Sequence, residues 1–235
     1  MNPERDRDHA ARIEAVYSHY DAAPAEQRKR DAANPGNAAI ARDRDLRIEH
    51  LLTGLCGDLS AVRVLDVGCG RGSLLAWLAA RGARIENLHG IDLLDDRISD
   101  ARGMHPRLDL RCADARHLPY GDQSIDLIIC STVFSSVIEE DVAGQIAAEV
   151  RRVLAPGGAV LWYDVRMPNP GNPNTVAMTR ARIRRLFPGL RDELRSATLL
   201  PPLARRLGPL TFLLYRPLAA TPFLRSHYLG LLRDA

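Results

Sequence analysis

The chain has 235 residues, of which 46% are hydrophobic and 26% are charged, and its formal net charge is +3. This length predicts one domain with a full hydrophobic core. The four cysteines form no Cys-x-x-Cys pair and have no histidine at metal-ligand spacing, which argues against a zinc site or a disulfide framework. The highly charged residues 2–8 are unlike a signal peptide, so we expect a cytosolic protein.

The charge is unevenly distributed along the chain. Residues 1–150 carry 18 basic and 25 acidic side chains, whereas residues 151–235 carry 14 basic and 4 acidic ones. The basic second part suits either an anionic substrate or a solvated Arg-rich surface. Nucleic acid is disfavoured as a partner because aromatic residues are few and no known nucleic-acid-binding module is recognised.

The N-terminal region predicts helices. Tyr17 and Tyr20 lie on the apolar stripe of a helix over residues 12–20. A break rich in Pro, Gly and Asn follows, and a second helix is expected over residues 38–55.

A strand and a glycine-rich turn come next. Residues 62–67 form an apolar strand that contains Asp66, and Gly68, Gly70 and Gly72 follow it. With a helix after the turn, this arrangement is typical of a nucleotide-type cofactor site. The third glycine comes too early for a dinucleotide fingerprint, which disfavours a nicotinamide dehydrogenase. A carboxylate beside the turn instead suits a ligand that carries a cation.

Residues 65–72 resemble motif I of the class I S-adenosylmethionine-dependent methyltransferases. Further features follow in the family's order, among them Asp92 after the second strand, Asp114 after the third, and a Leu-x-Pro-Gly-Gly turn at residues 154–158. The resemblance covers about residues 60–165. It implies S-adenosylmethionine as the cofactor and S-adenosylhomocysteine as the product.

The resemblance also implies roles for particular residues. Asp92 would accept hydrogen bonds from the ribose hydroxyls, and Asp114 would contact the adenine amino group. The loop at residues 131–137 would line the methionine arm of the cofactor. The cofactor-binding residues implied in this way are Asp66, Gly68, Cys69, Gly70, Asp92, Leu93, Ala113, Asp114, Ala115, Ser131 and Phe134.

The fold implied is α/β: a seven-stranded, mostly parallel Rossmann-like sheet with helices on both faces and an N-terminal helical lid. We assign residues 1–57 to the lid and residues 58–235 to the methyltransferase core. Within the core, segments at about 166–190 and 203–224 would cover the substrate.

The C-terminal part predicts three further elements: an Arg-rich helix over residues 175–186, a sixth strand over 194–200, and a last strand that inserts antiparallel between strands five and six. The apolar stretch at residues 208–224 is interrupted by prolines and Arg216. It is therefore too short to span a membrane and is expected to cover the core or the pocket.

Methyl transfer from a sulfonium is an in-line displacement, so alignment and exclusion of water are the main requirements. A base is useful only if the acceptor is a hydroxyl. The catalytic candidates are Asp164, Tyr163, Ser135 and Tyr20, with His227 and His19 as weaker ones. Arg166 would orient an anion, and Tyr17 would contact the substrate. Many relatives carry a histidine pair where this chain has Ser135 and Ser136, so histidine-based proton transfer is not expected at this loop.

The sequence thus predicts a methyltransferase for a small or medium metabolite that is anionic or partly apolar, with oxygen favoured as the acceptor atom. Two alternatives stay open. One is a methyltransferase for a lipid- or sugar-linked intermediate, suggested by the apolar and basic C-terminal region. The other is a cofactor-binding partner subunit without transfer activity.

Overall fold

The computed structural model describes residues 3–169 and 171–234, with side chains from residue 9 onward. The chain divides into two compact units. The smaller unit contains residues 3–47 and 196–226, and the larger contains residues 48–195 and 227–234.

The structure is α/β, as predicted. The helices are α1 (Pro3–Ala22), α2 (Pro24–Arg30), α3 (Pro35–Cys56), α4 (Ser73–Ala79), α5 (Asp95–Met104), α6 (Glu140–Val153), α7 (Arg180–Leu186), α8 (Pro201–Arg206) and α9 (Thr211–Ala220). The strands are β1 (Val64–Val67), β2 (Leu88–Asp92), β3 (Asp109–Cys112), β4 (Ile125–Ser131), β5 (Leu154–Val165), β6 (Leu190–Asp192), β7 (Arg195–Leu199) and β8 (Arg225–Asp234).

The described strands form one sheet in the order β3-β2-β1-β4-β5-β8-β6, with β7 paired to β8. Strands β1 to β5 are mutually parallel, and β8 runs antiparallel to both β5 and β6. The prediction of a mostly parallel Rossmann-like sheet, with its last strand inserted antiparallel, is confirmed. Eight strands are described rather than seven because the short β6 precedes the predicted sixth strand, which is β7.

The centre of the sheet carries the core of the larger unit. Strand β1 is buried throughout, and β4 is buried at most positions, as expected for parallel strands covered on both faces. Helix α6 packs against them because its apolar residues, such as Ile146 and Val150, repeat every three to four positions. Phe134, Trp162 and Phe187 complete this core with ring centroids 5.1–5.8 Å apart.

The register places the carboxyl ends of the parallel strands together. Asp66 of β1 is opposite Gly90 of β2 and Ile129 of β4. Ligands of open α/β sheets bind at this edge. The predicted cofactor residues Asp66, Asp92 and Ser131 are all at or near strand ends on it.

The smaller unit has its own apolar cluster, formed by Leu199, Ala204, Tyr215 and Ala219. Asn34 connects two of its helices. Its side-chain oxygen accepts from Gly36 N–H at 2.9 Å, and its amide nitrogen donates to Arg205 O at 3.4 Å. The lid interpretation of residues 1–57 requires closure over the larger unit and stays a prediction.

Two glycines of α3 provide a matched pair of stability predictions. A Cβ at Gly36 would lie 2.1 Å from the carbonyl oxygen of Ala204, whereas a Cβ at Gly54 would meet nothing within 4 Å. We expect Gly36→Ala to lower the free energy of unfolding by about 2 kcal/mol through overpacking. Gly54→Ala should raise it by up to about 1 kcal/mol because alanine favours the helix. Urea unfolding of both variants checks this, and equal effects would contradict the close packing of α3 on α8.

Candidate cofactor site

The glycine turn after β1 is tight and needs its glycines. Gly68, Gly70 and Gly72 have φ angles of 70°, 54° and 70°, in the left-handed region that glycine adopts without strain. The turn is closed by Cys69 N–H, which donates to Ile91 O at 2.8 Å, and by Gly72 N–H, which donates to Cys69 O at 2.9 Å. The backbone at Gly70 is therefore held next to β2.

The Asp92 carboxylate joins the glycine turn to the end of β2. One oxygen accepts from Gly70 N–H at 2.9 Å, and the other accepts from Leu94 N–H at 3.0 Å. The Asp92 carbonyl accepts from Ala113 N–H at 2.9 Å. Each carboxylate oxygen can accept more than one hydrogen bond, so Asp92 is suited to receive hydroxyl groups as well.

Gly90 is a site residue that the sequence reasoning missed. A Cβ at this position would lie 2.8 Å from a methyl carbon of Leu110 and 2.9 Å from Cys69 Sγ. Only glycine lets the Cys69 side chain pack against β2 here. A glycine inside an apolar strand pattern is the signal that could have revealed this close approach.

The electrostatic field at the turn is negative. Burial raises the pKa of the Cys69 thiol, and the Asp66 and Asp92 carboxylates raise it further. Burial is also the main cause of the raised pKa of Cys130, with additional contributions from Asp66 and Asp164. Carboxylates that disfavour a thiolate in this way favour a cation at the same place.

Asp114 is held by a neighbour that the sequence analysis did not single out. Arg116 donates from Nε and an NH2 group to one Asp114 oxygen at 2.9 and 2.6 Å, and its backbone N–H donates to the other at 2.9 Å. The Arg116 side chain is buried, whereas Asp114 is partly exposed. The arginine therefore fixes the direction of the carboxylate, and the adenine contact of Asp114 stays a prediction.

Arg152 holds the segment that follows Asp114. Its guanidinium donates to Tyr120 O at 2.9 Å and to Leu118 O at 3.0 Å. It also pairs with Glu149 at 2.7 Å and with Asp122 at 2.7 Å. The bond from Arg152 is the largest cause of the lowered pKa of Glu149. The segment after β3, which resembles the corresponding segment of the family, is thus held in place by a side chain of α6.

The loop after β4 has a strained start and a buried interior. Thr132 has a φ of 58°, an uncommon value for a residue with a branched side chain, and its N–H donates to Tyr163 O at 2.7 Å. The Phe134 side chain is fully buried and stacks on Trp162 with a centroid distance of 5.1 Å. Contact of Phe134 with a cofactor is accordingly limited to its backbone.

Two catalytic candidates, Asp164 and Ser135, bind each other. Ser135 N–H donates to an Asp164 oxygen at 3.0 Å, and Val165 N–H donates to the other at 2.7 Å. Asp164 has no accessible surface, and burial raises its pKa to about 6, although hydrogen bonds from Ser135 act in the opposite direction. A carboxyl group without accessible surface cannot reach a substrate, so this geometry favours a positioning role for Asp164 under the loop.

Tyr163 and His227 form a second pair, on neighbouring strands β5 and β8. Their rings are stacked with a centroid distance of 4.7 Å and an interplanar angle of 4°. Arg166, at the end of β5, lies with its guanidinium 5.7 Å from the ring centroid of Tyr228. The chain thus brings Tyr163, His227 and Arg166 to the same edge of the sheet as the glycine turn.

Tyr17 and Tyr20 lie on α1 in the smaller unit. Their rings meet edge to face with a centroid distance of 5.7 Å, and the Arg30 guanidinium is 5.3 Å from the Tyr20 centroid. Their proposed contacts with substrate stay predictions. His19 is close to Tyr20 in the same helix.

A cavity of about 280 Å³ lies at the opposite edge of the sheet, away from the predicted site. Its lining includes Gln123, Leu154 and Asp234, at the start of β4, the start of β5 and the end of β8.

In the described part of the chain, no cluster of three or more His, Cys, Asp or Glu side chains could hold a metal ion. None of the described helices combines the length and the hydropathy needed to cross a bilayer.

Residues 64–158 match the family described as "Methyltransferase domain". The biotin biosynthesis bifunctional protein BioHC of Cellvibrio japonicus is 36% identical over 155 residues, which cover 62% of this chain and 29% of that protein. Methyltransferase GfsG of Streptomyces halstedii is 37% identical over 108 residues, which cover 44% of this chain and 37% of that protein. The fatty-acid O-methyltransferase of Mycolicibacterium smegmatis is 35% identical over 116 residues, which cover 48% of this chain and 41% of that protein. The chain spans less than half the length of these relatives.

Two solved structures share the fold. A protein of Pyrococcus horikoshii OT3 has a TM-score of 0.62 and 18% identity, covering 93% of this chain and 99% of that one. The geranyl diphosphate C-methyltransferase of Streptomyces coelicolor A3(2), solved with S-adenosyl-L-homocysteine, has a TM-score of 0.62 and 14% identity, covering 81% and 77%. At these identities the likeness concerns the fold.

Proposed function

We propose that this chain is a class I S-adenosylmethionine-dependent methyltransferase that transfers a methyl group to an oxygen atom of a small or medium-sized metabolite. The match of residues 64–158 to the family described as "Methyltransferase domain" supports this proposal. The observation that carries the proposal is the pair of carboxylates at the glycine turn: Asp66 lies in β1, and Asp92 accepts from Gly70 N–H at 2.9 Å, so the field there is negative. This field suits a ligand with an ammonium and a sulfonium, and it disfavours the pyrophosphate of a dinucleotide.

The residues present fit that cofactor. A Cβ at Gly68 would lie 3.0 Å from a methyl carbon of Val133, so a larger residue would narrow the space between the turn and the loop after β4. We assign Asp92 to the ribose hydroxyls and Asp114, oriented by Arg116, to the adenine amino group. When bound, the cofactor supplies an electrophilic methyl group on a positively charged sulfur. The task of the protein is to align the acceptor with it and to exclude water.

On the acceptor side we assign different roles to the four predicted catalytic residues. Asp164 and Ser135 hold the loop after β4 in place. Tyr163 and His227 are stacked on each other, and the His227 imidazole can receive a proton from an acceptor hydroxyl beside them, if the acceptor is not already ionised. Arg166 orients an anionic group, and Tyr20, with Tyr17, belongs to the proposed lid.

The preference for oxygen and for a partly apolar acceptor is supported by the relatives. One of them is named as a fatty-acid O-methyltransferase, and its similarity covers about half of this chain. A carboxylic acid with an apolar tail would also match the basic C-terminal part of the sequence. We therefore propose a medium-chain fatty acid as the first acceptor to test.

Calorimetric titration with S-adenosylhomocysteine and, separately, with NADH tests the cofactor part. We expect micromolar binding of S-adenosylhomocysteine and no binding of NADH. Binding of NADH alone would contradict the proposal.

Transfer of a labelled methyl group to the fatty acid, with the product identified as a methyl ester by mass spectrometry, tests the acceptor part. Cofactor binding with transfer to a carbon or nitrogen acceptor would correct the acceptor atom, and binding without any transfer would favour the partner-subunit alternative.

A further inference from the structure

Helix α9 and the short turns on either side of it expose several large apolar side chains. Phe212 is 83% exposed, Phe223 73%, Leu213 60% and Leu210 52%. Single exposed apolar residues are ordinary on protein surfaces, but four within fourteen consecutive positions form a patch that needs a partner. We call Leu210, Phe212, Leu213, Arg216 and Phe223 the α9 surface.

The helical part of the α9 surface lies on the side of α9 that is not packed within the smaller unit. Thr211, Tyr215 and Ala219 repeat every four residues and are buried within the smaller unit. Phe212, Leu213 and Arg216 project on another side of the helix and are exposed. The exposed side chains are therefore not the poorly packed edge of a core.

The segment that carries this patch is positively charged. Residues 194–233 contain no Asp or Glu, and Arg206 and Arg216 are both exposed. An apolar face that carries an arginine, in a segment without carboxylates, is complementary to a surface that is apolar beneath an anionic layer.

We propose that the α9 surface docks on an anionic lipid bilayer, with the helix lying in the plane of the headgroups. Phenylalanine and leucine side chains on such a helix enter the boundary between headgroups and acyl chains. Arginine can extend its guanidinium back to the lipid phosphates. The helix has 10 residues, about 15 Å, roughly half the thickness of the hydrocarbon core, so it would lie on the bilayer without crossing it.

The charge of the surface also argues against a second copy of this chain as the occupant. A two-fold symmetric contact brings the same patch together from both protomers. The α9 surface contains Arg216 and no acidic residue, and the segment around it contains none either. Two copies would therefore place like charges opposite each other without a compensating carboxylate from this segment.

Vesicle flotation tests the proposal with the full chain. We expect binding to vesicles of phosphatidylglycerol and phosphatidylcholine, weaker binding at high salt, and much weaker binding to phosphatidylcholine alone. The double variant Phe212→Ser, Phe223→Ser should lower the affinity at least about ten-fold, because each phenylalanine loses its burial in the membrane. Arg216→Gln should lower it about five-fold and reduce the salt dependence.

Met104→Ser is the matched control, since Met104 is 51% exposed on α5 of the larger unit. It should bind vesicles like the wild type. Unchanged thermal melting of the α9 variants establishes that they are folded. The proposal is overturned if the wild type does not bind anionic vesicles, or if the α9 variants bind as well as the wild type. It is also overturned if light scattering detects a dimer that the phenylalanine variant loses.

Discussion

Asp92→Ala should weaken the binding of S-adenosylhomocysteine at least about 100-fold. The substitution removes the proposed ribose contacts, and each hydrogen bond to a charged group contributes about 1.5–3 kcal/mol. It also releases Gly70 N–H and Leu94 N–H, which Asp92 holds at 2.9 and 3.0 Å. Calorimetric titration of the variant measures the loss.

Asp96→Ala is the control for Asp92→Ala. Asp96 is an exposed carboxylate in the first turn of α5, four residues further on, and it accepts a hydrogen bond from Arg97 N–H. This control should keep the affinity of the wild type within about two-fold. If both variants bind equally well, Asp92 has no ribose contact. If Asp92→Ala melts far below the wild type without ligand, its main role is to hold the glycine turn.

Asp164 should make the protein less stable as the pH rises from about 4 to about 7. Its pKa is raised from 3.8 to about 6 in the folded protein, so the folded state binds the proton more tightly than the unfolded state. That stabilisation is complete below pH 3.8 and is lost as the pH passes 6. The difference in pKa corresponds to about 3 kcal/mol.

The measurement is the free energy of unfolding of the wild type minus that of Asp164→Asn at several pH values. The subtraction removes the titration of the other carboxyl groups, many of which have lowered pKa values and the opposite pH dependence. The difference should fall by about 2 kcal/mol between pH 4 and pH 7, which is most of the full effect. A flat difference for Asp164→Asn would contradict the raised pKa of the buried carboxyl group.

The parts of the site that the sequence predicted well are local ones. The glycine turn is recognisable because Gly68, Gly70 and Gly72 occupy left-handed backbone positions within one short segment. The mostly parallel sheet and its last antiparallel strand followed from the family resemblance. The glycine turn, in particular, can be predicted from residues that are close together in the sequence.

Contacts between distant segments were not predictable in the same way. Ser135 and Asp164 are 29 positions apart, and only the pairing of β4 with β5 brings them together. The Arg152 contact with Leu118 spans 34 positions. No periodicity in the sequence encodes such pairs, so the sequence alone did not reveal that Asp164 is buried against Ser135.

The helix predicted over residues 175–186 shows the same effect on secondary structure. Helix α7 begins only at Arg180, because the preceding backbone is used in tertiary hydrogen bonds. Val176 N–H donates to Ser135 O at 2.8 Å, and Met178 N–H donates to Val165 O at 2.7 Å. Thr179 then caps α7 by accepting from Arg182 N–H at 3.3 Å. Tertiary contacts overrode the local preference for a helix.

The position of β8 has a consequence for how the protein is made. This strand lies between β5 and β6, yet it begins about 60 residues after β5 ends. Until a growing chain has reached residue 234, one edge of β5 has no hydrogen-bonding partner in this sheet. Unpaired strand edges promote association with other chains. During synthesis, therefore, this edge of β5 is open to association with other chains until β8 has paired with it.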